Sequence, residues 1–194
     1  MSDCASTRAC ARDSGGMDAE MTTLRQERPS DVKAREALLD EAFGDSRNRK
    51  ASQRLRDGRL PAEGLSFIDA DGKRVVGTAR LWNVAAATGQ SALLLGPMAV
   101  EASCRNRGIG AALVRRALRE ARKRGHGAAV LVGDAPYYSR FGFAAETAAA
   151  LTMPGPFERH RLLALELIPG ALAGARGLLR PAGRIETSRQ AKAA

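Results

Sequence analysis

The residues best suited to chemistry lie between Cys104 and Gly125, CRNRGIGAALVRRALREARKRG, where a glycine-bearing turn runs into a basic helix. Gly108 and Gly110 let backbone approach a ligand closely, and the helix opens with N–H groups that lack intrahelical partners. Those amides and the positive end of the helix dipole point the same way, which makes the turn an anion site. Arg105 and Arg107 stand immediately before it and add charge. The combination reads as a phosphate cradle, and three kinds of occupant compete for it. A Walker A triphosphate site needs GxxxxGKS/T, which the chain lacks. GIGAAL, from Gly108, partly matches the dinucleotide fingerprint GxGxxG, although that motif follows its strand directly and the strand here ends near Val100. The third is a diphosphate held by Arg105 and the amides of about Asn106 to Ala111.

Other reactive groups are sparse. Cys4, Cys10 and Cys104 make an odd set of three, and the first two fall in a patternless segment, so no disulfide framework is expected. The two histidines, His126 and His160, have no close Cys or His at ligand spacing, so no metal site is expected either. Cys104 stands beside arginines near a helix start, yet it precedes the cradle and does not face the reacting end of a ligand held there, so it is not read as a nucleophile. His126 follows a helix-ending glycine and reads as a solvent-exposed cap residue, and His160 falls in a loop. The formal net charge of +10 over 194 residues favours an anionic partner: a phosphorylated cofactor, nucleic acid or an acidic surface. With 44% hydrophobic and 27% charged residues and no apolar run near the ~20 residues of a membrane span, a soluble protein without membrane association is expected. Residues Met1 to Glu20 lack the apolar core of a secretory signal, which points to the cytoplasm.

The elements that position the cradle follow from periodicity. Residues 1–20 read as a disordered extension, 21–168 as one globular domain, and 169–194 as a partly disordered tail. MTTLRQE, from Met21, has the alternation of an edge strand. A helix then starts at Pro29-Ser30-Asp31 and stops at Gly44, with Val32, Leu38, Leu39, Ala42 and Phe43 as its apolar stripe. The basic stretch SRNRKASQRLRDG reads first as a solvated helix face and second as a segment that closes over substrate. Two strands, Gly64 to Ala70 and Arg74 to Val84, form a hairpin around Asp71-Gly72. SALLLGPMAV, apolar on both faces, is a central buried strand with a bulge or splay at Gly96-Pro97. The cradle helix buries Ile109, Leu113, Val114, Ala117, Leu118 and Ala121. AAVLVG, Ala128 to Gly133, returns parallel to the first strand and completes a βαβ unit. A short helix spans Tyr137 to Phe141, and two further strands cover Ala145 to Met153 and Arg161 to Ile168.

Arg105-Asn106-Arg107-Gly108-Ile109-Gly110 matches Gln/Arg-x-x-Gly-x-Gly/Ala, and on this motif the chain resembles the GNAT superfamily of acyl-CoA-dependent N-acyltransferases. LGPMAV is similar to that family's irregular fourth strand, and Tyr138-Ser139-Arg140-Phe141-Gly142-Phe143 to its Y-x-x-x-G-F element. In order and spacing, the run from about Leu94 to Ile168, with GDAPYYSRFGF and the PGPF loop, resembles the YhbS-like branch. The resemblance implies an α/β (α+β) fold with a mixed, mostly antiparallel sheet flanked by helices. It implies acetyl-CoA as acyl donor, no metal, and direct transfer to a primary amine of unidentified identity. Met98, Ala99 and Val100 would hold the pantetheine arm, and Arg105, Asn106, Arg107, Gly108, Ile109, Gly110 and Ala111 the diphosphate.

In this family's pattern Tyr138 is the proton donor to the departing thiolate, and a phenol of pKa near ~10 is protonated at neutral pH. Its structural alternative is a half-buried aromatic supporting the Gly142 turn. An alkyl ammonium of pKa near ~10.4 must lose a proton before it attacks, and Glu63, Glu101, Asp134 and Glu166 are the candidate carboxylates. Two other functions compete: a coenzyme A-binding protein without catalysis, and a basic nucleic-acid-binding module. The second is disfavoured because one Trp, two Tyr and five Phe make a poor stacking platform. The expected assembly is a monomer or homodimer.

Overall fold

The computed structural model describes residues 22–187; the extension expected over residues 1–20, with Cys4 and Cys10, lies outside them. β1 (Thr23–Gln26) is the edge strand expected from MTTLRQE. A 3-10 turn, Pro29–Asp31, then leads into α1 (Val32–Phe43). Asp31 organises this start, because its Oδ2 accepts the Arg28 amide at 2.7 Å and the Arg25 guanidinium at 2.7 Å. Gly44, at φ +55°, ends α1 as expected.

The basic stretch that follows forms a 3-10 turn, Gly44–Arg49, and a single-turn helix, α2 (Ala51–Arg54). The reading of it as a solvated face is corrected here. Leu55 is fully buried and Arg56 is only 7% exposed, because Leu55 anchors the segment in the core beside Trp82 and Leu94.

β2 (Ser66–Asp71) and β3 (Arg74–Ala85) pair antiparallel. Asp71 pairs with Arg74, so the turn residues are Gly72-Lys73, one later than expected, and only Gly72 needs a positive φ. β4 (Ser91–Val100) pairs antiparallel with β3, and α3 (Ile109–Lys123) carries the chain to β5 (Ala128–Val132), parallel to β4. α4 (Ala135–Tyr138) continues as a 3-10 turn, Ser139–Phe141, and ends at Gly142. The alanine-rich run from Ala145 to Met153, expected as a strand, is instead a 3-10 turn, Glu146–Ala148, and a two-residue strand, β6 (Leu151–Thr152). Alanines lack the branched bulk that packs a pleated surface, and Ala144 alone bridges to the main sheet, at Ala164. β7 (Leu162–Glu166) then pairs antiparallel with β5.

The chain after Pro169, read from sequence as fraying, returns to the body. β8 (Gly177–Leu178) pairs with β6, and β9 (Arg180–Pro181) pairs with β3 at Val84 and Ala85. β4 already occupies one side of β3 there, so β9 takes the side that β2 has left.

The main sheet has the order β1-β2-β3-β4-β5-β7, antiparallel except for β4 with β5. This is the mixed, mostly antiparallel sheet expected. Its central strands alternate between two buried faces. Leu93, Leu95, Ala129 and Leu131 pack under α3 with Leu113 and Val114, while Ala92, Leu94, Ala128 and Val130 face α2, the β6–β8 pair and the returning chain. α1 covers the same second face further along, over Ile68, Val75 and Ala99. Among the described residues, no helix is long and apolar enough to cross a membrane.

Leu179, at 1% exposure, is part of this second core. Leu179→Ala is expected to lower the unfolding free energy by about 2–4 kcal/mol in urea titrations. An unchanged midpoint would mean that the returning chain is not integral to the fold.

Candidate active site

β4 and β5 pair only at Leu93↔Ala129 and Leu94↔Val130 and then part. Beyond that point each stays bonded to its outer neighbour: β4 to β3 through Val100↔Gly77, and β5 to β7 through Val132↔Leu162. Gly96 and Pro97 together stand opposite Arg80, which is the irregularity expected at this dipeptide. Gly96 sits at φ +130°, a conformation a side chain would resist. The outcome is a slot with an unpaired edge of β4 along it, and an unpaired strand edge is a template for an extended amide chain.

The predicted residues of β4 divide by pleat. Met98 lines a cavity of about 250 Å³ at the inner end of the slot, and Val100 lines a second, of about 490 Å³, at the outer end. Ala99 faces the opposite way, into the core under α1, and offers the slot main chain alone.

At the outer end the chain turns through Ala102–Cys104 into the cradle. Asn106 (φ +62°) and Gly108 (φ +82°) both take left-handed backbone. The amide of Ala112 bonds to the Gly108 carbonyl at 2.9 Å, so the amides of Ile109, Gly110 and Ala111 precede the helical ladder, and no side chain caps them. Arg105, Asn106, Gly108, Ile109, Gly110 and Ala111 all line the outer cavity. Cys104, largely buried, also touches this cavity, whereas Arg107 does not line it and has one guanidinium nitrogen 3.8 Å from Cys104 Sγ. Arg140 joins the lining, its guanidinium 4.0 Å above the Tyr137 ring. Its place inside YSRFGF was the available signal, but the pattern gave no reason to weigh it as a cation.

At the inner end Tyr138 lines the smaller cavity with Met98. Gly133, just past β5, makes this possible. A Cβ there would fall 2.3 Å from Tyr138 Cε2, so the ring lies directly on the strand end. Tyr137 and Phe143 meet the ring edge-on at 5.0 and 6.0 Å. Burial pushes the Tyr138 phenol up to about 12, Tyr137 and Asp134 add to the rise, and Arg161 opposes it.

Of the four candidate carboxylates only Asp134 lines this cavity. Glu101 is held by Arg74 at 2.8 Å and by Ser103 at 2.7 Å, which keeps it below the usual carboxylate range. Glu166 accepts the Leu172 and Gly170 amides, which lower it likewise, and Glu63 is exposed outside the site. His126 is half-buried, and burial lowers its pKa, so it is not the exposed cap residue expected; His160 is exposed beside Glu158.

The residues missed from sequence are cations. Arg47, Lys50 and Arg56 come from the stretch read as solvated, and Arg161 precedes β7; all four line the inner cavity. Burial lowers Arg56 to about 10, with Arg47 adding to the effect. Burial also lowers Lys50, followed by the charges of Arg161 and Arg56.

Known proteins share this fold. The Acetyltransferase (GNAT) family matches residues 32–143. The uncharacterized N-acetyltransferase YhbS of Escherichia coli (strain K12) is 32% identical over 163 residues, which covers 80% of this chain and 93% of that protein. The crystal structure of Escherichia coli YhbS in complex with CoA superposes with a TM-score of 0.72 at 27% identity, over 86% of this chain and 92% of that one. A GNAT family acetyltransferase from Brucella melitensis in complex with acetyl-CoA gives 0.61 at 25% identity, over 77% and 90%. On these grounds the chain belongs to the GNAT family of N-acetyltransferases.

Proposed function

We propose that this protein transfers the acetyl group of acetyl-CoA directly to a primary amine, with Tyr138 serving the departing sulfur. The observation that carries the reading is the parting of β4 from β5, with the cradle at one end and Met98 and Tyr138 at the other. The residues fit coenzyme A by chemistry. Uncapped amides at Ile109 to Ala111, with Arg105 beside them, suit a diphosphate, and the unpaired edge of β4 at Met98, Ala99 and Val100 suits the amides of a pantetheine arm. The CoA and acetyl-CoA complexes of the two similar proteins support the same choice.

The donor supplies an activated acetyl thioester. This chain's part is positioning and charge. Asp134, on the wall of the inner cavity, attracts the ammonium, which must lose a proton to solvent before it attacks. Tyr138 Oη–H donates a hydrogen bond to the sulfur as negative charge grows there. A phenol of pKa about 12 does not hand its proton outright to a thiolate of pKa about 8.5. The proton the thiol finally carries is therefore one lost by the attacking amine, and Tyr138 stabilises charge while staying protonated.

Calorimetric titration with acetyl-CoA, followed by a thiol-release screen over primary amines, tests the proposal; absence of binding at sub-millimolar acetyl-CoA sinks it. Tyr138→Phe is expected to lower kcat by roughly 10- to 100-fold while the Kd for acetyl-CoA moves little. With the phenol near 12, kcat is expected to hold or rise between about pH 8 and 10 as the amine deprotonates. A fall over that range, absent in Tyr138→Phe, would mean that the phenol itself titrates there and gives up its proton, against the role assigned here; an unchanged kcat in Tyr138→Phe would remove the tyrosine from catalysis. Arg105→Ala is expected to weaken coenzyme A binding about tenfold, the effect shrinking as salt is raised.

A further inference from the structure

The wall of the inner cavity facing β4 carries more positive charge than the described residues neutralise. Arg47 is answered by two carboxylates of α1, Glu36 at 2.6 Å and Asp40 at 2.8 Å. Its neighbours are not answered in this way. Arg56 donates to Gln53 Oε1 at 2.8 Å and forms no ion pair among the described residues, although it is 93% withdrawn from solvent, being only 7% exposed. Lys50 lies 4.1 Å from the Phe43 ring centroid and likewise forms no ion pair among them. Arg161 donates to the Gly133 carbonyl at 3.4 Å, and among the described residues its one ion pair is with Glu158, at 3.6 Å, an exposed carboxylate that also meets His160. Among the described residues, the lone acid on the cavity wall is Asp134.

Loss of hydration, and then mutual repulsion, depress Lys50 and Arg56, with Asp57 opposing the fall at Arg56. An unpaired buried charge is costly to a fold and marks a place where a ligand completes the pairing. Position excludes the donor's own phosphates as that ligand. Arg56 Nη1 would lie 3.8 Å from a Cβ on Gly96, so it stands at the inner end of the slot, whereas the cradle begins beyond Val100.

The geometry points to an acceptor that is a small amine carrying its own anionic group, a carboxylate or a phosphate, with Arg56, Lys50 and Arg161 receiving the anion and Asp134 facing the ammonium. This rests on the acetyl-transfer reading above and gives that site its substrate class. A volume of about 250 Å³ suits an acceptor of amino-acid size. Polyamines, aminoglycosides and lysines in basic peptides meet like charge at this wall and are disfavoured.

Matched pairs test it. With acetyl-CoA saturating, kcat/KM is compared for glycine against glycinamide and for O-phosphoethanolamine against ethanolamine, with spermidine as the cationic control. At least one anionic member is expected to exceed its neutral partner about tenfold or more, and which pair does so separates carboxylate from phosphate. Binding of N-acetylglycine against N-acetylglycinamide, and of N-acetyl-O-phosphoethanolamine against N-acetylethanolamine, to the full chain with and without CoA reads the same preference where no turnover occurs. Lys50→Glu, at an exposed position, is expected to shrink the anionic preference about tenfold, and Arg56→Lys to keep part of what Arg56→Ala removes. Equal or better use of the neutral amines, or no anionic preference in binding, overturns the inference and leaves the acetyl-transfer reading intact. Failure to bind acetyl-CoA instead sinks that reading.

Discussion

Two parallel strands that remain paired for two residues and then separate set the terms for everything else in this molecule. The separation needs each strand to be held from outside, and it is: β3 grips β4 along nearly its whole length, and β7 grips β5 at five positions. Gly96 supplies the backbone turn and α3, packed across both strands from below, keeps them in one body. Backbone groups left unpaired by the separation carry a cost unless water or ligand satisfies them. An open slot allows either, and the same exposed groups are what an extended amide chain recognises.

Legibility in the sequence followed locality. The two-faced β4, the apolar stripe of α3 and the parallel return of β5 each depend on residues a few positions apart and stand where periodicity placed them, and the hairpin at Gly72 falls within one residue of its expected turn. The cradle was readable because its parts are consecutive. Met98 and Tyr138 were placed by their motifs, yet what brings them to one cavity is Gly133, whose requirement comes from a ring five residues further along the chain. The cationic wall was not readable. Arg56 belongs with Gly96 and Lys50 with Arg161, pairings across long stretches of chain that no local pattern encodes. The returning chain failed for a similar reason: Leu172, Ala175 and Leu179 are spaced without a period because their partners lie on β3, β4 and β6. The run Ala145 to Met153 failed on composition, since alanine is compatible with either element.

Charge is distributed here by task. Part of the net +10 rims the cradle, part covers the outer side of α3 as a solvated face, and part is committed to structure. In the structural set, Glu27 bridges Arg80 of β3 and Arg35 of α1, and Asp31 holds Arg25 of β1, so α1 is locked to the sheet by ions as well as by Leu38 and Leu39. Such pairs stabilise modestly once desolvation is counted, but removing one partner leaves a buried charge and is costly. α1 is consequently a rigid reference for whatever hangs from it.

What hangs from it is the Arg47 turn. Glu36 and Asp40 hold Arg47, and Leu55 pins the other end of the same segment, so the roof over the inner cavity is a short span anchored at both ends and bonded to neither β4 nor β5. Donor slot and roof are therefore separable parts. Substitutions at the exposed Lys50 and Arg54 can drift without disturbing the splayed strands or the cradle, and descendants of this chain can exchange one acceptor for another while inheriting the same donor machinery unchanged.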